Sequence, residues 1–382
     1  MTDPRRVLFV AHAYPREPGD VAGSFLHRLA TSLVADGVQV RVVAPSGPGL
    51  AAEQVLDGVE IVRYRYAAAE RETLAYTGTM AEQALAGPRG IITLMGLLRA
   101  GARAVRQEAA RWRPDVIHAH WWFPAGLQVR MSGAAVPCVV TLHGSDVRLI
   151  GKNPVARWLA ARVLDGVRRV TTVSSWLRLQ AARPEARLLP MPVDVATFRP
   201  DETPRAPARF VFAGRLNAQK GLDVALRALA QVPPHATLDV LGDGPWAATL
   251  RRDAERLGVA TRVRWLGQGG AVDLADAFRT ATAILMPSRE EGLGLVAVEA
   301  QLCGARVIAA RSGGLPDVVL PGGGVLVPVD DAEALAAAMT DALTMPIETS
   351  SAEVRALLLA RFGPTAVARA YRAVYAEALS DA

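Results

Sequence analysis

Short apolar runs alternate with longer amphipathic stretches along the whole chain, and this alternation limits the fold more than any other feature. Strand-like runs stand at Val7–Val10, Val38–Ala44, Val59–Tyr64, Asp115–Ala119, Cys138–Leu142 and Arg169–Val173. A second set follows at Phe210–Ala213, Thr237–Leu241, Val263–Leu266, Ala283–Met286, Val307–Ala309 and Val325–Val327. Most lack strict polar–apolar alternation, as parallel strands buried on both faces do. Helical stretches such as Phe25–Asp36, Ala247–Leu257 and Leu295–Cys303 lie between them. The pattern predicts an α/β protein with one doubly wound parallel sheet in each half. The Pro-rich, polar segment Arg199–Pro207 reads as the boundary. The expected division is residues 1–199, residues 200–364, and a last helix within 365–382 that can pack on either half.

Ligands of open α/β sheets sit beyond the carboxyl ends of the strands. Chemistry is therefore expected in the loops that follow strands, from two sheets facing across a cleft.

With 382 residues, 51% of them apolar, the chain can bury two sizeable cores. No leader-like segment precedes the first strand-like run, and the most apolar stretch, Gly90–Leu98, is too short to span a bilayer. These features predict a cytoplasmic protein, with peripheral contact to the inner face of an anionic membrane as a further expectation. Cys138 and Cys303 stand in apolar surroundings in different halves and read as buried free thiols. Up to position 199 there are 25 basic and 16 acidic residues, and beyond it 18 and 21. The basic half suits an anionic acceptor or a membrane surface. It has no basic run with interleaved aromatics, so nucleic acid is not an expected partner. Helix-spaced Arg99, Arg103 and Arg106 in the segment Gly90–Arg113 suit a membrane surface too, although such a segment can simply cover a core. Leu74–Gly87, without clear periodicity, reads as a loop over the acceptor side.

The strongest local signal is Ser288-Arg-Glu-Glu-Gly-Leu-Gly-Leu-Val-Ala-Val-Glu299, which follows one strand-like run and opens a helix. Gly292 and Gly294 allow a tight turn. A helix starting near Gly294 offers unpaired N–H groups and the positive end of its dipole to a phosphate. Glu299 falls about 7–8 Å further along the helix axis. Glu291 at the loop and Glu299 inside the helix can thus bracket a phosphate and accept hydrogen bonds from sugar hydroxyls on either side. Upstream, Gly214-Arg-Leu-Asn-Ala-Gln-Lys-Gly221 brings Arg215 and Lys220 to another strand end, where two cations can neutralise a diphosphate. Lys220 is one of only two lysines in the chain, the other being Lys152. Gly242-Asp-Gly-Pro-Trp-Ala247 matches a dinucleotide-binding glycine pattern without its downstream acidic residue.

EEGLGLVAVEA, with GRLNAQKG upstream, resembles the family 4 retaining glycosyltransferases of the GT-B fold, whose signature is Glu-x7-Glu. LGDGP at Leu241–Pro245, VRWLG at Val263–Gly267 and CGARVIAARSGGLPDVV at Cys303–Val319 extend the match. In the first half so do the AHAYPREPGDVAGSF loop, DVIHAHWWFPAG at Asp115–Gly126 and TLHGSDV at Thr141–Val147. The resemblance covers nearly the whole chain. One departure is Met191-Pro-Val-Asp194, where the family often has Asn-Gly-Val-Asp.

The resemblance implies two Rossmann-like domains and a role for each matching residue. Arg215, Lys220 and the backbone N–H groups of Gly294, Leu295 and Val296 would bind the donor diphosphate. Glu299 would hold the ribose and Glu291 the transferred sugar. Gly23 would let the backbone approach the donor, and His143 would sit near the reacting sugar. Asp146 would orient His143 or an acceptor hydroxyl. From its strand position rather than from the resemblance, His120 with Trp121 and Trp122 stands beyond a strand end, where it can line an acceptor pocket or pack structurally near the cleft. His118 and His12 read as structural, and His27 and His235 as ordinary surface residues. The fixed cations and the helix start would replace a divalent metal. The chain contains no Asp-x-Asp and no metal-spaced His/Cys cluster. No cofactor beyond the nucleotide-sugar substrate is expected. UDP-linked donors are preferred over GDP-linked ones, with a glycan, lipid-linked or small-molecule hydroxyl as acceptor. A nucleotide-sugar hydrolase or epimerase, and a non-catalytic nucleotide-sugar-binding subunit, stand as alternatives.

Overall fold

The computed structural model describes residues 4–76, 80–344 and 352–380. The chain divides into two compact units, one of residues 1–192 with 364–382 and one of residues 193–363.

The sheet of the first unit is built from β1 (Arg6–Val10), β2 (Gln39–Pro45), β3 (Glu53–Leu56), β4 (Val59–Tyr64), β5 (Val116–His120), β6 (Cys138–Leu142), β7 (Arg169–Thr172) and β8 (Arg187–Leu188). The strand order is β3-β4-β2-β1-β5-β6-β7-β8, parallel except for the β3–β4 pair. The central strands β1, β5 and β6 are buried along nearly their whole length, which explains their unbroken apolar character. β3 was not expected, because only Leu56 of its four residues is buried. A signal for it does exist in the sequence. Asp57 and Gly58 both take positive φ, the pair that a two-residue hairpin turn requires.

The second unit carries β9 (Arg209–Ala213), β10 (Thr237–Leu241), β11 (Val263–Gly267), β12 (Ala283–Met286), β13 (Arg306–Ala310) and β14 (Gly324–Val327). All are parallel, in the order β11-β10-β9-β12-β13-β14. Phe210, Phe212, Leu238, Val240, Leu285 and Ile308 anchor its core. Asp239, fully buried on β10, accepts from Arg209 on β9 and Arg264 on β11 at 2.6–2.7 Å, so its charge is compensated on both sides.

In each sheet the chain leaves a central strand in both directions. This puts a topological switch point between β1 and β5 in the first unit and between β9 and β12 in the second. The loops beyond these strand pairs carry most of the residues singled out above.

The last helix, Pro364–Ser380, packs within the first unit. Arg372 pairs with Asp36 at 2.7 Å, Glu377 meets Arg169 and Arg187, and Tyr375 reaches His118 on β5. Within Leu74–Gly87, Met80–Leu85 forms a helix, as its Ala, Glu, Gln and Leu favour. Residues 77–79 of that segment lie outside the described residues. Both cysteines are buried and free, and burial pushes each thiol up to about 12.

Candidate functional site

In the second unit, β9 and β12 are neighbours, so the loops that follow them meet. After β9, Asn217 accepts from the Lys220 backbone N–H and closes a single turn, Ala218–Lys220. After β12, the Arg289 N–H donates to the Gln219 carbonyl at 2.8 Å, and Gln219 Nε2 donates to the Glu290 carbonyl at 3.0 Å. These bonds join the two loops. Between them, Lys220 Nζ donates to Glu291 Oε2 at 2.5 Å, with both side chains largely sheltered from solvent. Arg215 is exposed and makes no ion pair among the described residues, so its guanidinium is available to an anion.

The helix Leu295–Leu302 begins at Gly294, whose φ is +93°, and no side chain caps it. Among the described residues, the N–H groups of Leu295 and Val296 make no main-chain bond outside the helix, and the first bond of that turn is Ala297 N–H to the Gly294 carbonyl. Such a start is a ready anion site. Glu299 lies on the same helix and is 7% exposed.

A third loop fixes the Glu291 backbone, which residue spacing gave no reason to expect. Ser312 Oγ donates to the Ser288 carbonyl at 2.6 Å, and the Gly314 N–H donates to the Glu291 carbonyl at 2.8 Å. Gly313, at φ +53°, passes so close that a Cβ there would lie 2.0 Å from that carbonyl oxygen. The signals in the sequence are a Gly-Gly pair shortly after a strand and the family match at Cys303–Val319. Arg289, next to Glu290, turns away from Glu291 and braces Asp223 and Asp330 at 2.6–2.7 Å.

In the first unit the corresponding loops follow β1, β5 and β6. Gly23 starts the helix Ser24–Ala35 at φ +73°, and a Cβ there would lie 2.6 Å from the Ala13 carbonyl oxygen. The close approach is therefore to the loop after β1, within the unit itself. Trp121, directly after β5, holds a φ of +69°, which is rare for a bulky side chain. Its ring packs between those of His12 and His143, with centroids at 4.2 and 4.6 Å, leaving 7% of it exposed.

Asp146 touches His143 through the main chain. Its buried carboxylate accepts from the backbone N–H groups of His143, Gly144 and Trp122 at 2.9–3.2 Å. Burial raises its pKa, and those three N–H groups oppose the rise. Its own carbonyl accepts from the Trp122 indole at 2.7 Å. Asp146 thereby ties the loop after β6 to the loop after β5.

His120 is fully buried, and its Nδ1 lies 3.2 Å from Nε2 of the partly exposed His143. A ligand meeting His143 would therefore be one ring removed from His120. His118 bonds Tyr375 and Thr141. Burial lowers the pKa of His12 to about 4 and of His118 to about 3, and holds His120 and His143 well below the usual imidazole range. His27 departs from the surface role expected of it. It bridges the Tyr14 hydroxyl and the Asp57 carboxylate at 2.8 Å each. Among the described residues, no group of three or more His, Cys, Asp or Glu is placed to hold a metal ion. No helix of the described residues is long and apolar enough to cross a membrane.

Comparison with known proteins agrees with this geometry. The family model for Glycosyltransferase Family 4 matches residues 22–197, and that for Glycosyl transferases group 1 matches residues 196–356. D-inositol 3-phosphate glycosyltransferase 2 of Catenulispora acidiphila is 31% identical over 80% of this chain and 82% of its own length. Glycogen synthase of Mycobacterium tuberculosis is 28% identical over 89% of this chain and 86% of its own. Among solved structures, sucrose-phosphate synthase of Thermosynechococcus elongatus superposes with a TM-score of 0.81 at 23% identity, covering 99% of this chain and all of that one. Anabaena HepE in complex with UDP-glucose superposes at 0.72 with 18% identity, again over 99% of this chain and all of its own. The last two likenesses speak to the fold alone. Two parallel-sheet units, the linked Lys220 and Glu291 loops and these matches lead to one conclusion: the chain belongs to the family 4 glycosyltransferases of the GT-B fold and is a glycosyltransferase.

Proposed function

We propose that this glycosyltransferase is a retaining, metal-independent hexosyltransferase that uses a nucleotide-sugar, UDP-linked in preference to GDP-linked. The acceptor is a hydroxyl of a glycan, a lipid-linked sugar or a small molecule. The observation that carries the reading is the convergence, at the switch point of the second unit, of Lys220, the unpaired Arg215 and the uncapped helix start at Gly294. All three are positive; Lys220 meets Glu291 directly, and the helix start lies between Glu291 and Glu299 in the chain.

A departing nucleoside diphosphate develops negative charge as the glycosidic bond breaks. Arg215, Lys220 and the N–H groups of Gly294, Leu295 and Val296 stabilise that charge, the part a metal plays elsewhere. Glu299 accepts from the ribose hydroxyls and Glu291 from those of the sugar. When the diphosphate takes Lys220, Glu291 exchanges an ammonium partner for sugar hydroxyls. The first unit supplies His143 and Trp121, with Asp146 fixing the His143 backbone. Desolvation holds the partly exposed His143 ring neutral, so it acts as a hydrogen-bonding group and not as a cation. The acceptor proton passes to a phosphate oxygen of the leaving group, on the face where the new bond forms.

UDP-glucose enters the test because Anabaena HepE, alike in fold, is solved with it. GDP-mannose stays in the test, because a 35% identical relative from Mycolicibacterium smegmatis is a GDP-mannose-dependent mannosyltransferase. The test is a thermal-shift screen against UDP, GDP and their sugars, followed by product analysis by NMR. A ligand of the folded state raises the midpoint by mass action. Upward shifts with UDP-sugars and a product that keeps the anomeric configuration of the donor are expected. Failure of every nucleoside diphosphate to shift the midpoint would overturn the reading.

A further inference from the structure

Four of the six histidines gather at the carboxyl ends of β1, β5 and β6. His118 has both ring nitrogens engaged, Nδ1 at 2.8 Å from the Tyr375 hydroxyl and Nε2 at 2.6 Å from Thr141 Oγ1. His120 and His143 share one contact, Nδ1 to Nε2 at 3.2 Å. In two neutral imidazoles, one of these nitrogens must carry the proton and the other the lone pair.

The far side of His120 decides which. Its Nε2 is buried and has no partner among the described residues. A proton there would be a buried N–H with nothing to receive it beyond a weak contact with the neighbouring Phe9 ring, whose centroid lies 4.7 Å from that of His120. A buried donor left unpaired costs its full desolvation, and such donors are rarer than under-satisfied acceptors. With the proton on Nδ1 instead, the shared contact is made and only a lone pair is stranded.

We propose that His120 is a positioning residue: it donates Nδ1–H to Nε2 of His143 and so locks His143 in the Nδ1–H tautomer. The free nitrogen of His143 then presents a donor and not a base. Nδ1 of His143 has no partner among the described residues and is not among the buried unpartnered atoms. The ligand atom it meets must be an acceptor oxygen, either a sugar hydroxyl lone pair or a phosphate oxygen. That last step rests on the placement of His143 in the transferase site, whereas the tautomer itself does not. The arrangement gives His120 a use as a buried ring behind His143, in place of the acceptor contact expected from the sequence.

The test is long-range 1H–15N NMR on full-length protein carrying 15N-histidine, with six rings to resolve and a His143→Asn variant to assign one of them. In the wild type, His143 should show a protonated, pyrrole-type Nδ1 and a pyridine-type Nε2. In His120→Leu the lock is gone, and the His143 signals should move toward the Nε2–H form that free imidazole side chains favour in water. In His120→Asn, whose amide nitrogen occupies the Nδ1 position, they should return to the wild-type pattern. A wild-type His143 protonated at Nε2, or a His120→Leu spectrum unchanged at His143, would overturn the proposal. The wild-type measurement stands even if the leucine variant does not fold. The outcome is independent of donor chemistry: a protein that bound no nucleoside diphosphate would sink the transferase mechanism and leave the tautomer lock in place.

Discussion

Lys220 Nζ and Glu291 Oε2 lie 2.5 Å apart across 71 residues of sequence, so the cation expected to hold the diphosphate is already held by the carboxylate expected to hold the sugar. Without a donor, each neutralises the other in a sheltered position. The pair is set to be exchanged when a donor enters, and it gives the first prediction.

Lys220→Ala should lower turnover more than it weakens donor binding, because the ammonium matters most as negative charge develops on the leaving group. Loss of one such stabilising group costs about 10²–10³ in turnover. Steady-state kinetics with varied donor would show this as a drop in kcat. An unchanged kcat with only a raised KM would mean that Lys220 binds donor and transition state alike.

Gly313→Ala should disturb the site without touching any charged group. The new methyl would meet the Glu291 carbonyl oxygen at 2.0 Å, in a backbone conformation that L side chains disfavour. The loop must move, at a cost of about 1–3 kcal/mol. The expected result is a lowered melting midpoint together with weaker stabilisation by a nucleotide-sugar than by the bare nucleoside diphosphate, since Glu291 is displaced. Equal stabilisation by both ligands would separate Gly313 from the sugar side.

Stability should fall with acid in a defined window. His12 and His118 have folded pKa values of about 4 and about 3, below the 6.5 of an unperturbed ring. The unfolded chain therefore binds more protons than the folded one as pH drops below about 6.5. Their contribution to stability is complete above that value and is lost as pH falls toward 4 and then 3. Urea midpoints measured from pH 7 to 4.5 should decline, and His118→Phe should lessen the slope by about one proton. A slope identical to wild type would show that His118 titrates normally.

Chelation should leave the enzyme active. In the proposed mechanism Arg215, Lys220 and the helix start at Gly294 carry the leaving group, so turnover after treatment with EDTA should match the untreated rate. Loss of activity restored by manganese or magnesium would contradict the metal-free mechanism.

Peripheral membrane contact is proposed for the start of the helix Pro88–Trp112. Ile91 and Ile92 are 52% and 70% exposed there, alongside exposed Arg89, Arg99 and Arg103. Exposed apolar side chains on a helix that also carries exposed cations suit an anionic bilayer surface. Co-sedimentation should be greater with vesicles rich in phosphatidylglycerol than with neutral ones, and should drop in an Ile91→Glu, Ile92→Glu double variant. Equal sedimentation with both vesicle types would remove the membrane from the reading.

Much of this protein was legible in the order of its residues, because the features concerned are local. Buried parallel strands need unbroken apolar runs, and most of the twelve that stood out, of the fourteen strands among the described residues, are of this kind. The edge strands β11 and β14 stood out although only one residue of each is buried. The two that did not stand out were β3, a mostly exposed edge strand, and β8, only two residues long. The loop-to-helix passage around Gly294 was visible for the same reason: turn, helix start and both glutamates lie within a dozen neighbouring residues. Contacts between distant segments leave no such trace. Only tertiary structure brought Lys220 to Glu291, set Ser312–Gly314 against the Glu291 backbone, and gave the last helix to the first unit through Tyr375 and His118. It also turned Asp146 toward three main-chain N–H groups and enclosed His120 behind His143. Periodicity tells a residue which face of its own element it occupies. What waits on that face is decided by strand order, which hydrophobic burial and chain crossover fix only when the whole sheet assembles.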